Sequence, residues 1–327
     1  MYIEDLKFSL WADFIERDYL DNEFKELIDK KIVNGATSNP AIFKNAILSS
    51  PAYIEQLESL SDSLTAKEKY EAVAIFDIQK AADILKPLFD KGDDGYVSIE
   101  VDPFLCDDAE ATIAEGKRLF EAIQRKNVMI KVPATEAGYE AMEALTSVGI
   151  PVNATLIFKK AQAVACAKAF ARGVENYGTK VDTVISIFVS RIDRALDPVL
   201  KDNNIEVALS GIYNTSDIYE AIESMQVLGC RALFASTGVK DDSLAPYYYV
   251  EKLLAYNSIN TAPVDTIKAF HENARKEKAL PISREKIEEH FKKIAEADID
   301  FDALLQMQID EGLQAFKDAF KEILGAL

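Results

Sequence analysis

Asn127-Val128-Met129-Ile130-Lys131-Val132-Pro133 is a short apolar stretch with one lysine set into it. Val128, Met129, Ile130 and Val132 make the continuous apolar run of a strand covered on both faces, as in a parallel sheet or barrel. Lys131 breaks that pattern. Burying an ammonium strips its hydration and is costly unless the charge is paired, and a buried lysine that gives up its proton is a nucleophile toward carbonyls. The plainer alternative is a strand-end lysine whose stem packs on the core while its head reaches water or a carboxylate.

Working outward, short apolar runs alternate with longer segments of helical period, the rhythm of repeated β-α units. The runs are Phe8 to Phe14, Ile32 to Asn39, Tyr96 to Pro103, Val128 to Pro133, Val152 to Phe158, Thr183 to Val189, Ala232 to Thr237 and Ser258 to Pro263. Eight strands separated by helices predict a single-domain (β/α)8 TIM barrel spanning residues 1–327, with additional helices at its C-terminus. A doubly wound open sheet is the rival, disfavoured because no GxGxxG marks a dinucleotide site. Ala161 to Val174 and Leu304 to Leu324 read as helices. The second carries a stripe of Leu305, Ile309, Leu313, Phe316, Phe320 and Leu324, a spacing expected of core packing. Lys91 to Gly95, with two glycines and two aspartates, is the clearest turn.

A chain of 327 residues, 49% hydrophobic and 28% charged, has material for a large core. Its net charge of -18 argues against nucleic acid and anionic membrane surfaces as partners, so an anionic ligand must be held by a few local cations. No early stretch has the length of a signal peptide and no later one that of a membrane span, which predicts a cytoplasmic protein. Cys106, Cys166 and Cys230 are far apart and lack CxxC spacing, as in reduced thiols. His271 and His290 are the only histidines, which makes a His-activated nucleophile or a His-rich metal site improbable. Lysine, carboxylates and hydroxyls are left to carry any chemistry.

Polar residues fall at or near the end of every run: Asp13; Thr37, Ser38 and Asn39; Glu100 and Asp102; Lys131; Asn153 and Thr155; Ser186, Ser190 and Arg191; Ser236 and Thr237; Asn260. A barrel gathers such strand ends on one face, where its active sites lie. Each alone could merely hydrogen-bond loop backbone. Glu100 is harder to dismiss, because an unpaired carboxylate in an apolar strand is costly. It and Lys131 on the neighbouring strand can be each other's partner, as a structural pair or as the acid-base pair that carbinolamine formation and dehydration require. Arg191 suits either a phosphate, gripped by two parallel hydrogen bonds, or a salt bridge to Asp193 or Asp197.

Two stretches resemble signatures of the transaldolases: Gly35-Ala-Thr-Ser-Asn-Pro-Ala-Ile-Phe43, and Val128-Met-Ile-Lys-Val-Pro-Ala-Thr-Glu-Ala-Gly138, which holds the family's Schiff-base lysine. Leu10 to Asp13, Ile99 to Pro103, Asn153 to Leu156 and Ser186 to Arg191 fit the same family's pattern in order. The resemblance implies a class I aldolase barrel of the pentose phosphate pathway that takes sugar phosphates and needs no metal or organic cofactor. A dihydroxyacetone unit would pass from a ketose phosphate such as sedoheptulose 7-phosphate to an aldose phosphate such as glyceraldehyde 3-phosphate. It assigns imine formation to Lys131 and removal of the C4 hydroxyl proton to Asp13. Glu100 would shuttle protons through a water held with Thr155. Asn39, Asn153 and Ser186 would hold the dihydroxyacetone hydroxyls, with Arg191 and Ser236 at the phosphate. Where some members carry an arginine soon after that serine, this chain has Lys240. The competing readings are a fructose 6-phosphate aldolase that releases free dihydroxyacetone, and a barrel that binds sugar phosphates without turning them over. The C-terminal stripe leaves monomer and homodimer both open.

Overall fold

The computed structural model describes residues 1–327. Eight parallel strands close into a barrel in chain order: β1 Ser9–Ala12, β2 Gly35–Thr37, β3 Val97–Glu100, β4 Val128–Pro133, β5 Val152–Ile157, β6 Thr183–Phe188, β7 Cys230–Ala235 and β8 Ser258–Ala262. β1 pairs with both β2 and β8, so the sheet has no free edge. Every apolar run in the sequence coincides with one strand. Most runs overshoot their strand at the carboxyl end, where the polar residues leave the ladder to line the barrel mouth. β7 begins earlier than its run because Arg231, which hides the strand start in the sequence, lies on the same face as Leu233 and pairs with Asp94 at 2.6 Å. β5 is irregular: its register against β6 shifts between Ala154 and Ile157, and Leu156 takes a left-handed φ of 60°.

Alternation along each strand sorts the apolar residues into two layers. Ile130 and Val132 of β4 point outward into the large core between sheet and helices, with Ile185, Phe170 and Phe270. Met129 points inward to a second cluster with Trp11, Val184, Leu233 and Ile259, the filled floor of the barrel. Lys131, two residues beyond Met129, therefore stands inside the barrel above that floor. Register places Glu100 of β3 directly beside it and Asn153 of β5 on its other side.

Gly35 and Gly138 are among the glycines fixed by close approach. A Cβ on Gly35 would sit 2.7 Å from the Trp11 indole, and one on Gly138 would sit 2.0 Å from the Pro133 carbonyl oxygen. Gly138 opens the helix Glu136–Thr146 immediately after β4, and its N–H is capped by the Thr135 hydroxyl at 3.0 Å. Because the clash is with backbone, Gly138→Ala forces the turn after β4 to move. We expect it to lower stability by about 3 kcal/mol, a Tm loss of several degrees by calorimetry. An unchanged Tm would mean that this turn yields freely.

The C-terminal helix Phe301–Ala326 is capped by Asp300, whose carboxylate accepts from the Ala303 N–H at 2.9 Å. It packs against the helices Pro40–Ser49, Ala66–Phe89 and Ser190–Asp202 and reaches β5. The stripe faces the core as its spacing predicts, but it serves two clusters: Leu305, Ile309 and Phe316 join the inner one, and Phe320 the outer. No helix is long and apolar enough to cross a membrane.

Candidate active site

Lys131 is 5% exposed. Its Nζ donates to the Ser38 carbonyl at 3.1 Å and lies 3.7 Å from Glu100 Oε2, an ionic contact too long for a hydrogen bond. The ring of Phe316 stands 6.0 Å from Nζ. Both oxygens of Glu100 are buried without a hydrogen-bond partner in the protein. Burial pushes its carboxyl up to about 7, outweighing the opposing pull of Lys131. An amine and a carboxyl held side by side, with the carboxyl tuned to neutral pH, can pass a proton between them.

A cavity of about 100 Å³ opens above Lys131 at the carboxyl end of the barrel. It is lined by every residue that the sequence singled out as catalytic or substrate-binding except Glu100 and Asn153, which stand behind the lining. On one wall Asp13 accepts a hydrogen bond from the Thr37 hydroxyl at 3.2 Å. Burial raises its carboxyl, against the lowering influence of Lys131, Thr37 and Arg191. Asn39 caps the helix Pro40–Ser49, its Oδ1 accepting from the Ile42 N–H at 3.0 Å, which leaves its amide nitrogen free to donate to a ligand. Across the barrel, Ser186 donates to Asn153 Oδ1 at 2.6 Å, and Asn153 Nδ2 donates to Ser98 at 3.0 Å. Thr155 Oγ1 is buried and, like Glu100, lacks a protein partner.

Arg191 begins the helix Ser190–Asp202. The salt bridges open to it in the sequence do not form. Asp193 accepts from the Gly211 N–H and the Tyr249 hydroxyl, and Asp197 from the Ala208 N–H. Burial and the nearby Arg194 hold the Arg191 guanidinium below its usual range, the response of a cation with too little counter-charge. Ser236 takes a left-handed φ of 54°, and its hydroxyl lies 3.2 Å from that of Ser190. Ser190 also lines an adjoining cavity of about 210 Å³ that Arg194 and Lys240 face.

Sequence reasoning missed several groups. Ser98 was findable, since it lies two residues before Glu100 on the same face of β3. Asn-Pro at residues 39 and 40 is a legible helix start that would have revealed the Asn39 cap. Phe188 and Phe316 were hidden among apolar residues whose spacing says only that they are buried. A concavity of about 590 Å³ beside the C-terminal helices is a different feature. Its charges are already paired, Lys160 and Arg284 with Asp217 and Lys159 with Asp302.

The sequence model of the family described as Transaldolase/Fructose-6-phosphate aldolase matches residues 10–327. A protein of Helicobacter pylori (strain Shi470) named Transaldolase is 44% identical over 321 residues, covering 98% of this chain and 99% of that protein. One of Campylobacter jejuni subsp. jejuni (serotype O:23/36, strain 81-176), also named Transaldolase, is 46% identical over 331 residues with the same coverage of each. The match therefore spans all eight strands and the C-terminal helix that closes over the site, and the chain belongs to the transaldolase/fructose-6-phosphate aldolase family.

Proposed function

We propose that this chain is a transaldolase of the pentose phosphate pathway. It moves a dihydroxyacetone unit from sedoheptulose 7-phosphate to glyceraldehyde 3-phosphate, giving erythrose 4-phosphate and fructose 6-phosphate. The whole of residues 1–327 acts as one catalytic unit, and the cytoplasm is its compartment. The observation that carries this reading is the buried Lys131–Glu100 pair beneath a cavity lined by Asp13 and Arg191.

Lys131 attacks the donor's C2 carbonyl. Glu100 and a water held with Thr155 move the protons that carbinolamine formation and dehydration require. The protonated imine then accepts the electron pair of the breaking C3–C4 bond while Asp13 removes the proton of the C4 hydroxyl. The pair formed by Ser186 and Asn153, with the free amide nitrogen of Asn39, orients the hydroxyls of the three-carbon unit until the acceptor aldehyde arrives. Arg191 and Ser236 hold the phosphate, with Arg194 and Lys240 adding positive charge from the adjoining cavity.

The family's description covers both transfer and simple cleavage. The relatives reported above are named Transaldolase, which favours transfer. The test is turnover of fructose 6-phosphate with and without erythrose 4-phosphate. We expect consumption to depend on the acceptor; equal consumption in both would make the protein a lyase.

A further inference from the structure

Phe316 is the one large apolar side chain that the C-terminal helix presents to Lys131. It is 4% exposed, lines the cavity, and its ring centroid lies 6.0 Å from Nζ. Through Leu305 and Ile309 the same helix face is continuous with the apolar floor of the barrel. The helix that carries the ring is tied down on both sides of it. Upstream, Lys159 pairs with Asp302 at 2.9 Å. Downstream, Phe320 stacks edge-on against Tyr70 at 5.1 Å, and Lys44 pairs with Glu322 at 3.1 Å. An apolar ring fixed over a reacting nitrogen offers it no donor and no acceptor, and occupies space that water would otherwise fill.

We propose that Phe316 is a specificity-determining residue that favours transfer over release by denying water to the dihydroxyacetone intermediate on Lys131. The inference rests on the Schiff-base reading above. Once the C3–C4 bond has broken, the three-carbon unit is an enamine on Nζ with two fates. In transfer, C3 attacks the acceptor aldehyde and a new carbon-carbon bond forms. In release, C3 takes a proton, a water oxygen adds to the C2=N carbon, and the C–N bond breaks to give dihydroxyacetone and the free amine of Lys131. No electrons are gained or lost overall; both fates end in hydrolysis of an imine, but only in release does water reach the three-carbon imine before the acceptor aldehyde does. Phe316 closes the mouth side of the site against that water. Its π face also favours the positively charged imine over the neutral carbinolamine that precedes release.

The experiment compares wild type with Phe316→Gln, which keeps the reach of the side chain but ends it in a hydrogen-bonding group, and Phe316→Leu, which keeps it apolar. With fructose 6-phosphate, and erythrose 4-phosphate present, the readout is the ratio of free dihydroxyacetone to transferred product. We expect Phe316→Gln to raise that ratio roughly threefold to tenfold, the scale of one added hydrogen bond, and Phe316→Leu to stay near wild type. A merely structural role would slow both fates together and leave the ratio unchanged, and that result in both folded variants would overturn the inference. If Phe316→Gln fails to fold, Phe316→Ala, which opens a gap that water can enter, takes its place: a raised ratio supports the proposal and an unchanged one overturns it. Borohydride trapping on wild-type Lys131 separates the two layers: without an adduct the Schiff-base reading fails, and with one only the role of Phe316 is at stake.

Discussion

Lys131→Met abolishes turnover, by on the order of 10⁵-fold or more, the scale of losing a covalent nucleophile, while the barrel stays folded. Methionine has nearly the length and volume of lysine and fills irregular space without strain. The position tolerates an apolar side chain because Met129 and the inner cluster lie directly below it. The usual objection is that removing one member of a buried ion pair strands the other charge. Here the stranded group is Glu100, whose carboxyl is already raised to about 7 by burial even with Lys131 beside it. Without the lysine it takes up a proton and stays neutral, so the penalty that normally accompanies a broken pair largely disappears. The measurements are steady-state turnover, a thermal melt to confirm folding, and intact mass with peptide mapping after fructose 6-phosphate and borohydride. Wild type is expected to carry a dihydroxyacetone-sized adduct on Lys131 and the variant none. Near-wild-type activity in Lys131→Met would sink the assignment, and the reading as a sugar-phosphate-binding barrel would then lead.

How far that prediction could be reached from residues alone depends on which residues are considered. Lys131 announces itself because a charge in an apolar strand is anomalous, and β4 forms with the ends that its composition predicts. The strand ends are legible for the same reason: an apolar run that stops on Asp13, Glu100 or Arg191 exposes a change of solvent. Partners are not legible in this way. That Lys131 donates to the backbone of Ser38 follows from how β2 and β3 are staggered in the closed barrel, which no local pattern encodes. The bulge at Leu156 and the left-handed Ser236 are likewise consequences of closure, carried by residues with no intrinsic preference for such geometry. Phe316 is the extreme case. Its stripe says that a face is buried, but an apolar face packed on the outer core and one packed over the reacting nitrogen have the same period.

Glu100→Gln carries the second largest expected effect, a loss of roughly 10² to 10⁴ in kcat/KM, the range for a positioned proton-transfer group. Its pH signature separates catalysis from architecture. The carboxylate form of Glu100 accepts the proton that moves as the amine attacks, so wild-type kcat/KM should fall as pH drops through about 7, where Glu100 takes up a proton. Glutamine cannot titrate, and the variant should lose that acid limb while keeping a low, flatter rate. Stability should move the opposite way. The carboxyl is raised in the folded state from an ordinary value of 4.5, so the fold favours the protonated form. The stability this contributes is fully present below about 4.5 and is lost as pH rises through about 7. Glutamine is neutral throughout, and stability of the variant relative to wild type should therefore increase across that window. A purely structural Glu100 would give the stability trend with no change in the shape of the activity profile. A catalytic Glu100 gives both, and an acid limb that survives in Glu100→Gln would move the proton-transfer role to Asp13, the half-buried carboxyl across the cavity, which desolvation also raises.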